Sequence, residues 1–228
     1  MKLCEGLVLL ALQEETGNTK GSHLEYTIAA AIIAELLLLK RIRVNTDNKD
    51  KVEVLDSSPT GDTVMDEALQ KIAERKRADT IKNWVSHIAQ ISKLKHKVAE
   101  QLVADGIITS EEKKVLWIFS YKVYPEANPE PERQLRSEMR RLVLDKPLEI
   151  DPRIALTVSL AKSSDLLKSV FSKDELKTHK ERIEKIAKGE ELGAVTQDVI
   201  DAVQAAVMVA VMMPAIMAAT TASTSNSC

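Results

Sequence analysis

With 228 residues, 44% of them hydrophobic, the chain can bury one sizeable core and gives no compositional reason for a second domain. A formal charge of −2, from 32 basic and 34 acidic residues, excludes attraction of phosphate or membrane by the global field and leaves that task to local clusters. The cysteines, Cys4 and Cys228 at opposite ends, exclude a disulfide framework and a zinc-ligand spacing, and fit a reducing, cytosolic setting.

The opening stretch MKLCEGLVLLALQEE places Leu3, Leu7, Leu10 and Ala11 on one helical face. Glu5 interrupts the apolar run and no small-residue cleavage pattern follows, so it reads as an amphipathic first helix and not as a signal peptide. The segment from Glu14 to Lys20 reads as a turn into the central element, LEYTIAAAIIAELLLLKRIRV, Leu24 to Val44. Between Tyr26 and Leu39 only Thr27 and Glu35 are polar, a helix apolar on nearly its whole circumference that belongs at the centre of a bundle. Lys40 and Arg41 close it with positive charge at the negative end of the macrodipole, and Ile42, Arg43 and Val44 alternate as a strand does. Val52, Val54 and Leu55 offer the partner strand of a hairpin.

Pro59 and Gly61 mark a turn, and Asp62 or Thr63 caps a helix whose stripe is Val64, Met65, Ala68, Leu69, Ile72 and Ala73. A second stripe, Ile81, Trp84, Val85 and Ile88, follows the charged break ERKRAD. From Gln70 to Gln101 eight basic residues (Lys71, Arg75, Lys76, Arg77, Lys82, Lys93, Lys95, Lys97) stand against Glu74, Asp79 and Glu100, the clearest electrostatic feature of the chain and its best candidate surface for an anion. A solvated helix face without a partner is the plainer reading of such a run.

Val98, Leu102 and Val103 carry the next helix to a cap at Gly106. The alternating run VLWIFSYKVY reads as one long strand, and it holds Trp117, Phe119, Tyr121 and Tyr124, four of the seven aromatic residues. With its flanking turn it reads as a wing-like, aromatic hairpin on a helical body; an edge hairpin that simply covers core is the more frequent form of such an element, and the crowding of aromatic residues favours a contact surface. Pro125, Pro129 and Pro131 mark a loop before Leu135, Met139, Leu142 and Val143 resume helical spacing. Asp151 and Pro152 begin a second interior helix, Lys173 to Lys188 reads as a solvated amphipathic helix, and Thr196 caps a last helix. Its Ala-rich stretch, Ala202 to Ala219, carries Gln204 and Pro214 and reads as a bundle helix and not as a membrane span. The predicted fold is therefore mainly α, with central apolar helices ringed by amphipathic ones and one protruding aromatic β-hairpin, in one domain over 1–219 with a polar tail over 220–228.

Catalysis finds poor support. His23, His87, His96 and His179 are not spaced as metal ligands, no glycine-rich phosphate loop occurs, and no serine sits in a nucleophile elbow. Neither a metal nor a cofactor is expected. Glu35 reads as a buried structural carboxylate paired with a lysine or a backbone amide.

The stretches LVLLALQEETGN, ELLLLKRIRV, SPTGDTVMDEAL, NWV, VAEQLVADGIIT and DPRIALTVSLAKSSDLL resemble, in that order, the Golgi phosphoprotein 3 family over nearly the whole chain to about Val211, PTGD followed by DEAL being the most specific. The resemblance implies a helical bundle with a protruding hairpin. It also implies peripheral binding of phosphatidylinositol 4-phosphate on the cytosolic membrane face, at the Golgi in a eukaryotic host, together with retention of glycosyltransferases. By the same resemblance the hairpin, with Trp117, Phe119, Tyr121 and Tyr124, mediates self-association or membrane contact. The family's headgroup pocket transfers onto Lys20 or His23, onto Ala29 to Ala31, and onto Ser92 and Lys95, with Lys93 and Lys97 beside them. The missing pocket arginine, and the absence of an extension before Met1, point to a prokaryotic relative.

Two functions compete. The leading one is a non-catalytic module that meets an anionic lipid or phosphoinositide headgroup through Lys93, Lys95 and Lys97, with Lys20 contributing. The second is a cytosolic protein-interaction scaffold that keeps the fold without specific lipid recognition. Nucleic-acid binding ranks last: the wing is apolar, and Glu126, Glu130 and Glu132 follow it and repel phosphate.

Overall fold

The protein is described by a computed structural model covering residues 1–12, 23–45, 48, 51–115, 119–147 and 149–190, with side chains for all of these except 114, 115 and 119. It is mainly helical, with nine α-helices and two antiparallel hairpins among the described residues.

Helix α1 (Leu3–Ala11) and helix α2 (Leu24–Leu38) form the centre. Every residue of α1 is buried, so the expected amphipathic first helix is instead enclosed on all sides. Its one carboxylate, Glu5, is folded back onto the Lys2 amide at 2.8 Å and the Lys2 ammonium at 2.6 Å, which removes the only group that demanded a wet face. In α2 the run Thr27 to Leu37 is buried without a gap, as its circumference of apolar residues requires.

The end of α2 is set by backbone geometry. Lys40 takes the left-handed conformation (φ 54°), so the Lys40 amide donates to the Leu37 carbonyl at 3.0 Å and the Arg41 amide to Leu36 at 2.9 Å. This closes the last turn and throws the chain straight into β1 (Ile42–Asn45), which pairs antiparallel with β2 (Lys51–Val54) in the register Val44 to Val52. On its other side β2 meets the approach to α4: the Val52 amide donates to the Asp79 carbonyl at 2.8 Å, and Lys51 bridges Thr80.

Helices α3 (Thr63–Glu74), α4 (Ile81–Ala89) and α5 (Leu94–Ala104) lie around this centre. Asp62 caps α3, its Oδ1 accepting from the Val64 and Met65 amides at 2.9 and 2.8 Å, and Thr80 caps α4. Gly106, at φ 70°, ends α5 where a side chain would strain the backbone.

The run VLWIFSYKVY is not one strand. It begins at the end of β3 (Glu111–Val115) and continues in β4 (Phe119–Val123), which pairs antiparallel with β3, Val115 opposite Phe119. The arm that pairs with the aromatic one is EEKKV, whose alternation is masked by charge on both faces. Helix α6 (Glu130–Arg140) runs into a π-helical turn at Arg141–Asp145, and α7 (Pro152–Ser163), capped by Asp151, is the second interior helix. The expected helix over 173–188 is broken at His179 into α8 (Lys173–Thr178) and α9 (Lys180–Ala187). Leu176, Ile183 and Ile186 do face inward, the latter two buried. Buried apolar residues from α1 to α9 form one cluster. The cap at Thr196, the helix over 202–219 and the tail lie outside the described residues.

Candidate functional site

The stripe Val64, Met65, Ala68, Leu69 and Ile72 turns α3 inward, so Glu67, Lys71, Glu74 and Arg75 line its outer face at helical spacing. In α4 the buried side is Ile81, Trp84, Val85 and Ile88. The outer face of α3, the end of α4 and the start of α5 enclose a groove of about 620 Å³, whose walls include Lys71, Arg75, Trp84, His87, Ser92 and Lys97.

Trp84 is the best buried of these, 2% exposed. The Arg75 guanidinium lies 5.3 Å from the centroid of its ring, and the His87 ring meets it edge-on at 5.5 Å. Arg75 is held in place by two contacts: Nη1 is 2.8 Å from His87 Nε2, and Nη2 is 3.0 Å from Asp79 Oδ2. Burial raises the Asp79 pKa, but hydrogen bonds from the Asn83 amide and the Thr80 backbone N–H, with the Arg75 charge, outweigh it and hold the carboxyl below its usual range. Asp79 is therefore an anion near neutral pH and a fixed anchor for Arg75.

The predicted headgroup residues are divided by the fold. Ser92 and Lys97 enter the groove; Lys97 is paired there with Glu67 of α3. Lys93, exposed and left-handed at φ 57°, stands just ahead of α5, and Lys95 is half-buried; neither lines the groove. Their charges act instead on His96, whose pKa is lowered first by burial and then by Lys95, Lys122 and Lys93. His23 is exposed and caps α2 at φ 56°, without a side-chain bond to the helix. Lys20 lies outside the described residues. Ala29, Ala30 and Ala31, where the resemblance puts a pocket arginine, are each 0% exposed and can contribute nothing to a ligand.

The aromatic hairpin also departs from expectation. Tyr124 is not on a contact surface: it is 2% exposed, and its hydroxyl lies 2.8 Å from Nδ1 of His96. With the Lys122 to Glu100 ion pair at 2.6 Å it fastens the base of the hairpin to α5. Tyr121 is exposed, the Phe119 side chain and Trp117 lie outside the described residues, and so does any contact they make.

Lys71, Arg75, Trp84 and His87 join the site although none was among the predicted headgroup residues. The charge count over 70–101 pointed to the first two. Trp84 carried no such signal, because a tryptophan in an apolar stripe reads as core. Among the described residues no group of three or more His, Cys, Asp or Glu could hold a metal ion, and no helix is long and apolar enough to cross a membrane.

The profile of the family described as Golgi phosphoprotein 3 (GPP34) matches residues 3–206. Vacuolar protein sorting-associated protein 74 of Eremothecium gossypii is 23% identical over 171 residues, covering 66% of this chain and 51% of that protein. The chain thus spans about half the length of this curated relative.

Proposed function

Because the chain belongs to the Golgi phosphoprotein 3 family, we propose that it is a non-catalytic, peripheral module that docks on anionic lipid at the cytosolic face of a membrane, phosphatidylinositol 4-phosphate being the headgroup its family suggests. The observation that carries this reading is the basic flank running from the last turn of α3 to the start of α5. Lys71, Arg75, Lys76, Arg77, Lys82 and Lys93 are all exposed there, and among the described residues five of them, all but Arg75, have no side-chain partner. Cations left without carboxylates keep their charge for an external anion. Each contributes about 1 kcal/mol near an anionic surface, falling within a Debye length as salt rises, so four or five give reversible docking.

Flotation of the full chain with vesicles tests this. Binding to vesicles containing phosphatidylserine or phosphatidylinositol 4-phosphate, lost as salt is raised, is the expected result; equal binding to neutral vesicles, or none to phosphatidylinositol 4-phosphate, refutes it.

The burial of Ala29 to Ala31 favours a second reading, a protein-interaction scaffold that has lost the headgroup arginine. Capture of one stoichiometric protein partner, unaffected by charge reversal at Lys93, Lys95 and Lys97, would support it over lipid docking.

A further inference from the structure

The groove between α3 and α4 has a ligand chemistry of its own. We propose that it is a phosphate-binding pocket to which Lys71, Arg75 and the Ser92 hydroxyl supply the donors. The inference needs no membrane, and of the residues that the family resemblance singles out for its headgroup pocket only Ser92 and Lys97, the latter paired with Glu67, line this groove.

Its unused groups are donors. Lys71, Gln90 and Ser92 line the groove without a described side-chain partner, whereas its carboxylates are engaged: Glu67 by Lys97, and Glu74 by Gln70 at 2.7 Å. Arg75 offers five N–H groups, of which His87 and Asp79 take one each, leaving others for a tetrahedral anion. Trp84 lies under the Arg75 guanidinium at the groove wall, so its indole reports on what Arg75 binds; its own Nε1 is buried and meets no acceptor among the described residues. At about 620 Å³ the groove has room for a phosphate ester and its water.

The test uses the full chain with Trp117→Phe, which leaves Trp84 as the sole tryptophan. Inorganic phosphate is titrated at constant ionic strength while Trp84 emission and the indole N–H resonance are followed. The expected result is a saturable shift, weakened about tenfold in Lys71→Ala and in Arg75→Ala, since each removes a charge-assisted bond, and unchanged in Lys177→Ala, an exposed lysine of α8 outside the groove and the basic flank. Chloride that produces the same shift, no saturation, or an undiminished response in both groove variants overturns the pocket. Two vesicle arms identify the source of the phosphate. Movement of Trp84 by phosphatidylinositol 4-phosphate but not by phosphatidylserine, whose phosphate is a diester, assigns the pocket to a lipid monoester; movement by inorganic phosphate alone assigns it to a free one. Flotation on phosphatidylserine that persists while phosphate leaves Trp84 untouched would sink the pocket and spare the docking function.

Discussion

Nη2 of Arg153 lies 2.7 Å from Oε1 of Glu35 and Nε lies 3.0 Å from the same oxygen, a link across 118 residues between the start of α7 and the last turn of α2. The Leu3 amide meets the other carboxylate oxygen at 3.3 Å, so one buried Glu35 gathers the three innermost helices. Arg153→Ala leaves that carboxylate, 4% exposed, almost without compensation, and should cost about 3 kcal/mol in chemical denaturation. Replacing Glu35 and Arg153 together by leucine should recover most of the loss, because no charge is then stranded. Equal losses in the single and double variants would show that the pair is not what holds α7.

A second ion pair predicts the acid limb of stability. Glu175, which caps α8 through Ser172, is held down to about 2 by Arg140 and by the Ser172 backbone N–H. A depressed carboxyl binds fewer protons folded than unfolded, so its contribution is present above the ordinary value of 4.5 and is lost as pH falls from there towards 2. Thermal melts across that window should flatten in Arg140→Gln relative to the parent protein.

His96 reports on the cations beside it. Its folded pKa lies below the unfolded value of about 6.5, so the stability it contributes falls as pH drops through that range. Lys95→Ala should raise its NMR titration midpoint. Anionic vesicles docking at Lys93 and Lys95 should raise it too, whereas neutral vesicles should leave it in place.

Reversal of Lys76 and Arg77 to glutamate changes no described contact, since both side chains are exposed and without a described partner. It should leave the melting temperature within about 2 °C, the shift expected from about 0.5 kcal/mol in a chain of this size. Vesicle affinity should fall by at least 30-fold, from about 1 kcal/mol per cation lost. An unchanged affinity would place docking on another face.

The helical core could be read because α2 and α7 advertise themselves through composition: an apolar run needs no partner to be recognised as buried. The caps at Asp62, Asp151 and Gly106 were equally legible, as local chemistry fixes them. The first helix misled, since Leu3, Leu7 and Leu10 looked like one face when the fold covers Glu5 with Lys2. The division of the run VLWIFSYKVY between two antiparallel strands was hidden because apolar alternation runs straight across it. The groove depends on which face of α3 meets the end of α4, and no spacing within one helix encodes a contact between two. Residue positions transferred from the family found Ser92 and Lys97 but scattered the rest.

Every residue of α1 lies below the surface, as does α2 from Thr27 to Leu37. Nothing on those stretches can change to suit a new partner without disturbing the whole. Divergence among proteins of this shape must then be written on the shell, above all on α3 to α5, where a cation can be gained or lost at little cost to folding. Related chains can therefore share an interior and differ in what they adhere to.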